Sequence, residues 1–204
     1  MHHDDVTRAY SAKAAALAQV LGTAVSSGDP DAAVIEAWAA SVPGRILDVG
    51  SGTGRWSGHL AGLGHAVEGL EPVDEFVEIA RRAHPDVTFR RARLTDLAET
   101  DERWSGILAW YSLIHLDRDD LPTALSILRE ALDVDGSLLV SFFTGPRFEV
   151  IQHPATTAYL WPADEMTRAL DAAGFEVVAG QAHPQGLHAH TSARARARSP
   201  LSTQ

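Results

Sequence analysis

The feature that most constrains the fold is a glycine-rich turn between an apolar stretch and a helix-forming stretch. Residues 46–49 (Ile-Leu-Asp-Val) are apolar enough for a buried strand, and Gly50, Gly52 and Gly54 follow at every second position. Glycine adopts backbone conformations that other residues resist, and it leaves no Cβ between the chain and a ligand. Open α/β sheets bind ligands at such a turn, beyond the carboxyl end of a strand. The segment therefore predicts a ligand-binding turn in an α/β fold.

Strand-like and helix-like stretches alternate along most of the chain that follows. Strands separated by helices build βαβ units, which give a mostly parallel sheet with helices on both faces. The predicted strands are 45–49, 66–71, 87–91, 106–110, 137–143, 175–180 and 187–192, and the predicted helices after the first strand are 56–63, 74–83, 121–132 and 162–173. The sequence thus predicts a seven-stranded α/β protein.

Two helices, 6–25 and 30–41, are predicted before the first strand, and an arginine-containing segment follows the last one. We expect residues 1–42 to form a helical lid, 43–192 the core and 193–204 a flexible tail. The tail alternates Arg194, Arg196 and Arg198 with alanine, so an arm that binds an anionic partner is the alternative.

Charge and cysteine content limit the partners of the chain. Seventeen basic and 27 acidic residues give a net charge of −10, which argues against a nucleic-acid partner. The chain has no cysteine, so thiolate metal sites and a cysteine nucleophile are excluded. The start carries no secretory signal pattern, and the longest mostly apolar run, 106–116, is shorter than the ~20 residues of a spanning helix. We expect a cytoplasmic protein that does not enter a membrane.

The spacing of the glycines distinguishes two classes of cofactor. The dinucleotide fingerprint G-x-G-x-x-G requires a third glycine where this chain has Arg55, and Gly54 comes one residue early. A nicotinamide-dependent oxidoreductase is therefore disfavoured but stays an alternative. The run Asp48-Val49-Gly50-Ser51-Gly52-Thr53-Gly54 instead resembles motif I of the class I S-adenosylmethionine-dependent methyltransferases.

Further landmarks of that family follow in order. Glu71 lies 17 positions after Gly54, at the end of the second predicted strand, where a carboxylate can accept hydrogen bonds from both hydroxyls of a ribose. Residues 95–97 follow the third strand, and residues 109–116 resemble motif IV. Residues 136–141 are similar to the fifth strand of the family. Residues 173–175 are similar to the segment that precedes its sixth strand. The resemblance spans 45–178 and is greatest to the small-molecule, type 11/25-like branch.

The resemblance implies a Rossmann-like fold, a cofactor and a set of site residues. The expected cofactor-binding residues are Tyr10, Asp48, Gly50, Ser51, Gly52, Gly54, Arg55, Glu71, Pro72, Asp96, Leu97 and Ala109, and the expected catalytic residues are His115 as a general base with Trp110 and Tyr111 beside the transferred methyl group. Structural alternatives stay open for several of them. Asp48 could hold the loop, Asp96 could cap a short turn, Arg55 could form a surface ion pair, and Tyr10, Trp110 and His115 could be packing residues.

The resemblance also implies an activity. The chain is expected to transfer a methyl group from S-adenosyl-L-methionine to a small molecule, releasing S-adenosyl-L-homocysteine, and residues 142–161 are expected to line the acceptor pocket. No metal is expected, because His153, His183, His188 and His190 lack the fixed spacing of a known metal site. A homodimer is compatible with the sequence. The alternatives are an oxidoreductase of the same fold, a non-catalytic cofactor-binding relative, and a methyltransferase acting on nucleic acid.

Overall fold

The computed structural model of the protein describes residues 3–182 and 186–197. In chain order the elements are α1 His3–Ser11, α2 Ala14–Leu21, α3 Ala32–Ala40, β1 Ile46–Val49, α4 Arg55–Gly62, β2 Val67–Glu71, α5 Asp74–Ala83, β3 Thr88–Arg91, a 3-10 helix Leu94–Glu99, β4 Trp104–Ala109, α6 Leu121–Ala131, β5 Leu132–Thr144, β6 Glu149–Gln152, β7 Thr157–Trp161, α7 Ala163–Ala172, β8 Phe175–Ala182 and β9 His188–Ala195. From β1 to β5, strands alternate with helical segments as the sequence predicts, whereas within the described residues β5, β6 and β7 follow one another without a helix between them.

All of the described strands belong to one sheet with β1 near its centre. Strands β1 to β5 are parallel and lie in the order β3-β2-β1-β4-β5. Strand β9 runs antiparallel between β5 and β8. The chain leaves β1 toward β2 on one side and returns to β4 on the other, which creates a crevice at the carboxyl end of β1. The predicted Rossmann-like fold is confirmed, and the glycine-rich turn lies at this crevice.

Helices cover both faces of the sheet, so all four residues of β1 are buried. On one face, Trp38 of α3 and Leu60 of α4 pack with Ile46 and Leu108 of the sheet. On the other face, α6 and α7 contribute to the larger core cluster. Because α3 is part of the core, a lid role can apply only to the segment before it. Among the described residues, no helix combines the length and apolar character needed to cross a bilayer.

The predicted N-terminal helix 6–25 is wrong in one respect, since the chain forms two shorter helices there. Helix α1 ends at Ser11, and the backbone N–H of Lys13 donates to Tyr10 O at 3.0 Å, which breaks the helical ladder. Helix α2 ends before Gly22, whose φ of +67° is a left-handed conformation. Beside the break, the Tyr10 hydroxyl contacts His115 Nε2, and Lys13 Nζ donates to Pro154 O and Ala155 O.

The first residues of the predicted tail, 193–195, belong to a strand. Ala193 pairs with both neighbouring strands of β9, and the strand continues to Ala195. The backbone N–H of Arg196 then donates to Gly174 O at 3.0 Å. Arg194 therefore lies in the sheet because β9 is stabilised on both sides, and Arg198 lies outside the described residues.

The sequence did not predict the hairpin of β6 and β7. Strand β7 pairs with Phe143 and Thr144 at the end of β5, beyond the last β4 pair at Val140. Strand β5 is longer than predicted, because it starts at Leu132 and passes through a left-handed Asp135. The hairpin therefore lies next to the carboxyl end of β4, where residues 142–161 were expected to line a pocket.

Candidate active site

The glycine-rich turn has three left-handed glycines with different roles. Gly50, Gly52 and Gly54 have φ of +70°, +55° and +78°. A Cβ on Gly50 would lie 2.5 Å from the Cβ of Ser112, and one on Gly54 would lie 2.7 Å from the ring of Phe89. A Cβ on Gly52 would meet no atom within 4 Å. The outer two glycines therefore permit close packing, whereas Gly52 faces open space that a ligand can fill.

The predicted acid at the end of β2 lies directly against this turn. Glu71 is buried, and its Oε2 accepts a hydrogen bond from the Gly52 N–H at 2.8 Å. Its Oε1 accepts one from the Val73 N–H at 2.9 Å, since Pro72 between them has no N–H to donate. Each carboxylate oxygen has a second lone pair, so both can accept a further hydrogen bond. The two Glu71 oxygens could therefore accept hydrogen bonds from the two hydroxyls of a diol.

Asp48 is directed away from the turn and into the start of α4. It is buried, and its Oδ2 accepts a hydrogen bond from the Ser57 hydroxyl at 2.6 Å. Burial raises the pKa of Asp48 to about 6, although the hydrogen bonds from Ser57 oppose that change. The structure thus shows the structural role that the sequence left open, in which Asp48 anchors the helix that follows the turn.

Burial also raises the pKa of Glu71 to about 7, and the negative charge of Asp48 contributes to the increase. The hydrogen bonds from Val73 and Gly52 act in the opposite direction. The folded protein therefore holds a proton on Glu71 at pH values where the unfolded chain, with an ordinary pKa of 4.5, has lost it. By linkage, the unfolding free energy falls as the pH rises through this window.

We expect the ligand-free protein to lose about 1 kcal/mol of unfolding free energy between pH 6 and pH 8 through Glu71. The lowered pKa of His115, about 4, acts in the opposite direction over the lower part of this range, because the unfolded ring with its ordinary pKa of 6.5 still binds a proton that the folded ring has lost. The Glu71 contribution is therefore read as the difference in slope between the wild-type protein and Glu71→Gln. Urea unfolding at pH 6, 7 and 8 measures the effect. In Glu71→Gln this part of the pH dependence disappears, and an identical slope in both proteins would contradict the assignment.

Two hydroxyl groups beside the turn have no hydrogen-bond partner. Ser51 Oγ and Ser112 Oγ are both buried and unpaired among the described residues. A buried polar group without a partner costs free energy, so such groups indicate a missing partner. Together with the open space at Gly52 and the spare lone pairs of Glu71, these hydroxyls fit a polar ligand at the turn.

Arg55 makes its contacts within the protein. Its guanidinium lies 3.2 Å from the carboxylate of Asp29 and stacks over the ring of Trp56 at 4.8 Å. The hydroxyl of Thr53 donates to Gly22 O at 2.6 Å. Both contacts tie the segment before α3 to the turn. The ion-pair alternative for Arg55 is therefore present in the structure, because the folded N-terminal segment supplies a carboxylate, and its contact with the cofactor stays a prediction.

The residues after β4 lie where the sequence predicted, but two of them have structural partners. Ala109 is buried at the strand end, and the indole N–H of Trp110 donates to Asp31 at 3.0 Å. Tyr111 has a φ of +52°, a strained conformation for a residue with a bulky side chain, and its backbone N–H donates to Ser141 Oγ. Trp110 is thus hydrogen-bonded to the N-terminal segment, whereas Tyr111 is fixed at the carboxyl end of β4 by its bond to Ser141.

Asp96 and Leu97 belong to the 3-10 helix after β3. Asp96 Oδ2 accepts a hydrogen bond from the Arg93 N–H at 2.8 Å, which closes the start of this helix. Leu97 is buried in the larger core cluster. The capping alternative is thus present in the structure. The Asp96 side chain is exposed, and only one of its oxygens takes part in this bond, so the other remains an acceptor.

His115 is buried and has a defined tautomer. Its Nδ1 lies 2.5 Å from Thr157 O, an acceptor, so Nδ1 carries the proton and donates. Its Nε2 accepts a hydrogen bond from the Tyr10 hydroxyl at 2.8 Å. Burial lowers the pKa of His115 to about 4, and the ring is neutral at pH 7. Tyr10, from α1, therefore contacts the predicted base. Burial is the main cause that raises the pKa of Tyr10, and the negative charge of Glu71 raises it further.

A cavity of about 620 Å³ lies elsewhere in the molecule, and its lining contains none of the predicted site residues. It is bounded by α3 on one side and by β5, β8 and β9 on the other. Within residues 3–182 and 186–197, no group of three or more His, Asp or Glu side chains could hold a metal ion. His183, considered with His153, His188 and His190 in the sequence, lies outside the described residues.

Several functional neighbours were missed by sequence reasoning. Ser112 follows Tyr111 directly, so its position at the carboxyl end of β4 was a usable signal. Asp31 gave no signal, because its contact with Trp110 joins residues 79 positions apart. Thr157 belongs to the hairpin that the sequence did not predict.

The fold and the turn with its acidic neighbour define an α/β protein built to bind a polar ligand at the switch point of its sheet. Comparison with known proteins identifies the family. A family model described as a methyltransferase domain matches residues 27–179, which is most of the chain. The protein therefore belongs to the class I S-adenosylmethionine-dependent methyltransferases, as the motif I resemblance predicted.

One curated relative and many solved structures are similar to this chain. The O-methyltransferase cnsE of Penicillium expansum is 35% identical over 147 residues, which are 66% of this chain and 52% of that protein. The chain thus spans about half the length of the curated relative it matches. The 1,6-didemethyltoxoflavin-N1-methyltransferase of Burkholderia thailandensis, with S-adenosylhomocysteine bound, is 24% identical over 82% of this chain and 77% of its own, with a TM-score of 0.69. The DhpI–SAH complex is 23% identical over 96% and 97%, with a TM-score of 0.72. These two likenesses establish the fold.

Proposed function

We propose that the protein transfers a methyl group from S-adenosyl-L-methionine to an oxygen atom of a small-molecule acceptor and releases S-adenosyl-L-homocysteine. The observation that carries the proposal is the Glu71 carboxylate at the open Gly52 turn. The family membership supports the cofactor, and the relative named as an O-methyltransferase supports oxygen as the accepting atom. The family also argues against the nicotinamide-dependent alternative.

The residues at the turn fit this cofactor. Glu71 has the spare lone pairs to accept both ribose hydroxyls, and Asp96 has a free carboxylate oxygen for the amino group of adenine. Gly52 leaves room for the ligand, and the Ser51 and Ser112 hydroxyls offer unused polar contacts. When bound, S-adenosylmethionine supplies an electrophilic methyl on a sulfonium, and the broken S–CH3 bond leaves its electron pair on sulfur.

The proton of the acceptor passes to His115. An acceptor hydroxyl forms its new bond to the methyl carbon while its proton moves to Nε2, the nitrogen that accepts hydrogen bonds. Nδ1 stays protonated on Thr157 O, which keeps the ring oriented. The protein aligns the acceptor oxygen with the methyl group, and such alignment lowers the activation free energy by several kcal/mol.

Replacing Glu71 with alanine is expected to weaken S-adenosylhomocysteine binding by about 100-fold, because two charge-assisted hydrogen bonds are lost. Isothermal titration calorimetry measures the affinity. Glu68→Ala is the matched control, since Glu68 lies on the same strand but pairs with Arg90. An affinity loss of the same size in both variants, or in neither, would contradict the site.

A methyl-transfer assay tests the function itself. Incubation of the protein with S-adenosylmethionine and candidate acceptors is expected to yield an acceptor with one added methyl group, detected by mass spectrometry, and S-adenosylhomocysteine. Retention of the cofactor without any methylation would favour the non-catalytic relative.

We also propose that α1 and α2 act as a lid, which the Tyr10–His115 contact supports. We propose further that the acceptor is a small molecule in the cytoplasm rather than a nucleic acid, which the net charge of −10 supports.

A further inference from the structure

Six ring side chains form a continuous surface beside the predicted base, which we call the ring wall: Tyr10, His115, His153, Phe143, His188 and Tyr111. Successive ring centroids along the ring wall lie between 5.3 and 6.1 Å apart. Five separate parts of the chain supply these rings: α1, the loop after β4, the end of β5, the β6–β7 hairpin and β9. Such convergence of distant segments indicates a built surface rather than a local sequence effect.

The ring wall lies beside the glycine-rich turn. At one end, Tyr10 is close enough to Glu71 for that carboxylate to raise its pKa. At the other end, Tyr111 directly precedes Ser112, the residue that Gly50 approaches. A ligand on the ring wall would therefore contact a nucleoside held by Glu71. Tyr111, Phe143 and His153 are partly exposed and His188 is exposed, so the surface can be reached.

The chemistry of the ring wall selects for a flat, uncharged ring. Offset and edge-to-face contacts between aromatic rings are stabilising beyond the burial of apolar area, and a saturated ring of similar size cannot form them. None of the six side chains is an acid, a lysine or an arginine. Lys13, the cation that acts on His153, has its Nζ bound to Pro154 O and Ala155 O. Two of the three N–H donors of Lys13 are thus used by backbone carbonyls, and within the part of the chain that the structure describes the ring wall itself presents no lysine or arginine to an acceptor carboxylate.

The ring wall also has a polar contact at the end nearer Glu71. The Tyr10 hydroxyl and His115 Nε2 lie 2.8 Å apart and satisfy each other. A hydroxyl inserted between them would accept a hydrogen bond from Tyr10 and donate one to Nε2, so both groups stay paired. This insertion places the acceptor proton on the atom that receives it.

We propose, on the basis of the methyltransferase function above, that the acceptor is an aromatic ring that carries a hydroxyl group, bound against the ring wall with its hydroxyl between Tyr10 and His115. Methylation then converts the aryl hydroxyl to an aryl methyl ether. The O–H proton goes to His115 Nε2, the O–CH3 bond forms, and the S–CH3 electron pair remains on sulfur.

Binding to the protein saturated with S-adenosylhomocysteine tests the substrate class without a known acceptor. The probes are phenol and 2-naphthol, each compared by calorimetry with its saturated counterpart, cyclohexanol or trans-2-decalol. We expect at least one aromatic probe to bind about tenfold more tightly than its counterpart. Equal or absent binding of both pairs would overturn the substrate class. Failure of S-adenosylhomocysteine itself to bind would overturn the proposed function.

A matched pair of variants shows whether the ring wall is the binding surface. Phe143→Leu removes a central ring of the wall, whereas Phe148→Leu makes the same change in a separate cluster with Tyr159 and Trp161. We expect about a fivefold loss of affinity for the aromatic probe in Phe143→Leu only, with unchanged affinity for S-adenosylhomocysteine. Equal effects of the two substitutions would place the probe elsewhere and overturn the proposal.

Discussion

Gly52→Val is expected to abolish S-adenosylhomocysteine binding, with a loss of about 100-fold or more, equivalent to about 3 kcal/mol. Gly52 is the one glycine of the turn whose missing side chain leaves open space, and Glu71 holds its N–H. A valine there fills the space that the ligand needs. Its β-branched side chain also strains a backbone with φ of +55°. Calorimetric titration measures the affinity, and circular dichroism verifies that the variant is folded.

Gly64→Val separates the loss of ligand space from backbone strain. Gly64 has φ of +93°, and its added Cβ also meets no atom within 4 Å, but it lies in the turn after α4 and is exposed. This variant carries a comparable backbone penalty. We expect it to lose stability and keep its affinity for the ligand. Normal binding by a folded Gly52→Val protein would show that the ligand does not approach the turn.

His115→Asn is expected to lower kcat by about 100-fold without changing the affinity for S-adenosylmethionine. Asparagine can still donate to Thr157 O, but its amide oxygen is too weakly basic to take the proton that Nε2 receives. General bases contribute roughly 10²–10⁴-fold, and the low end applies here because a pKa of about 4 makes His115 a weak base. Single-turnover kinetics with an unmethylated acceptor that the wild-type protein methylates measure the rate of the chemical step.

His59→Asn is the control for this substitution. His59 is a partly buried histidine of α4 whose Nε2 pairs with Glu36, away from the ring wall. We expect its kcat to equal that of the wild-type protein. If His115→Asn also retained full kcat while remaining folded, His115 would be a packing residue and the acceptor would need no base from this chain.

The local part of the site could be predicted from the sequence. The glycines follow strand β1, Glu71 and Ala109 are the last residues of β2 and β4, and parallel strands bring their carboxyl ends to one edge of the sheet. Adjacent strands β1 and β2 therefore place Gly52 and Glu71 in contact, although 19 positions separate them. The mostly parallel sheet follows from the same alternation of strands and helices.

The partners of Arg55 and Tyr10 could not be predicted, because they depend on where the N-terminal segment folds. Asp29 pairs with Arg55, and Tyr10, just before the break between α1 and α2, contacts His115. The β6–β7 hairpin was missed for a related reason. Residues 149–161 mix polar and aromatic side chains without a clear period, and their strand conformation arises from pairing with the end of β5.

The most direct test of the central claim is a crystal structure of the protein with S-adenosylhomocysteine. We expect both ribose hydroxyls within about 3 Å of the Glu71 oxygens, with the ligand crossing the open face of Gly52. A nucleoside bound elsewhere, or a Glu71 carboxylate that contacts only the Gly52 and Val73 amides in the complex, would contradict it.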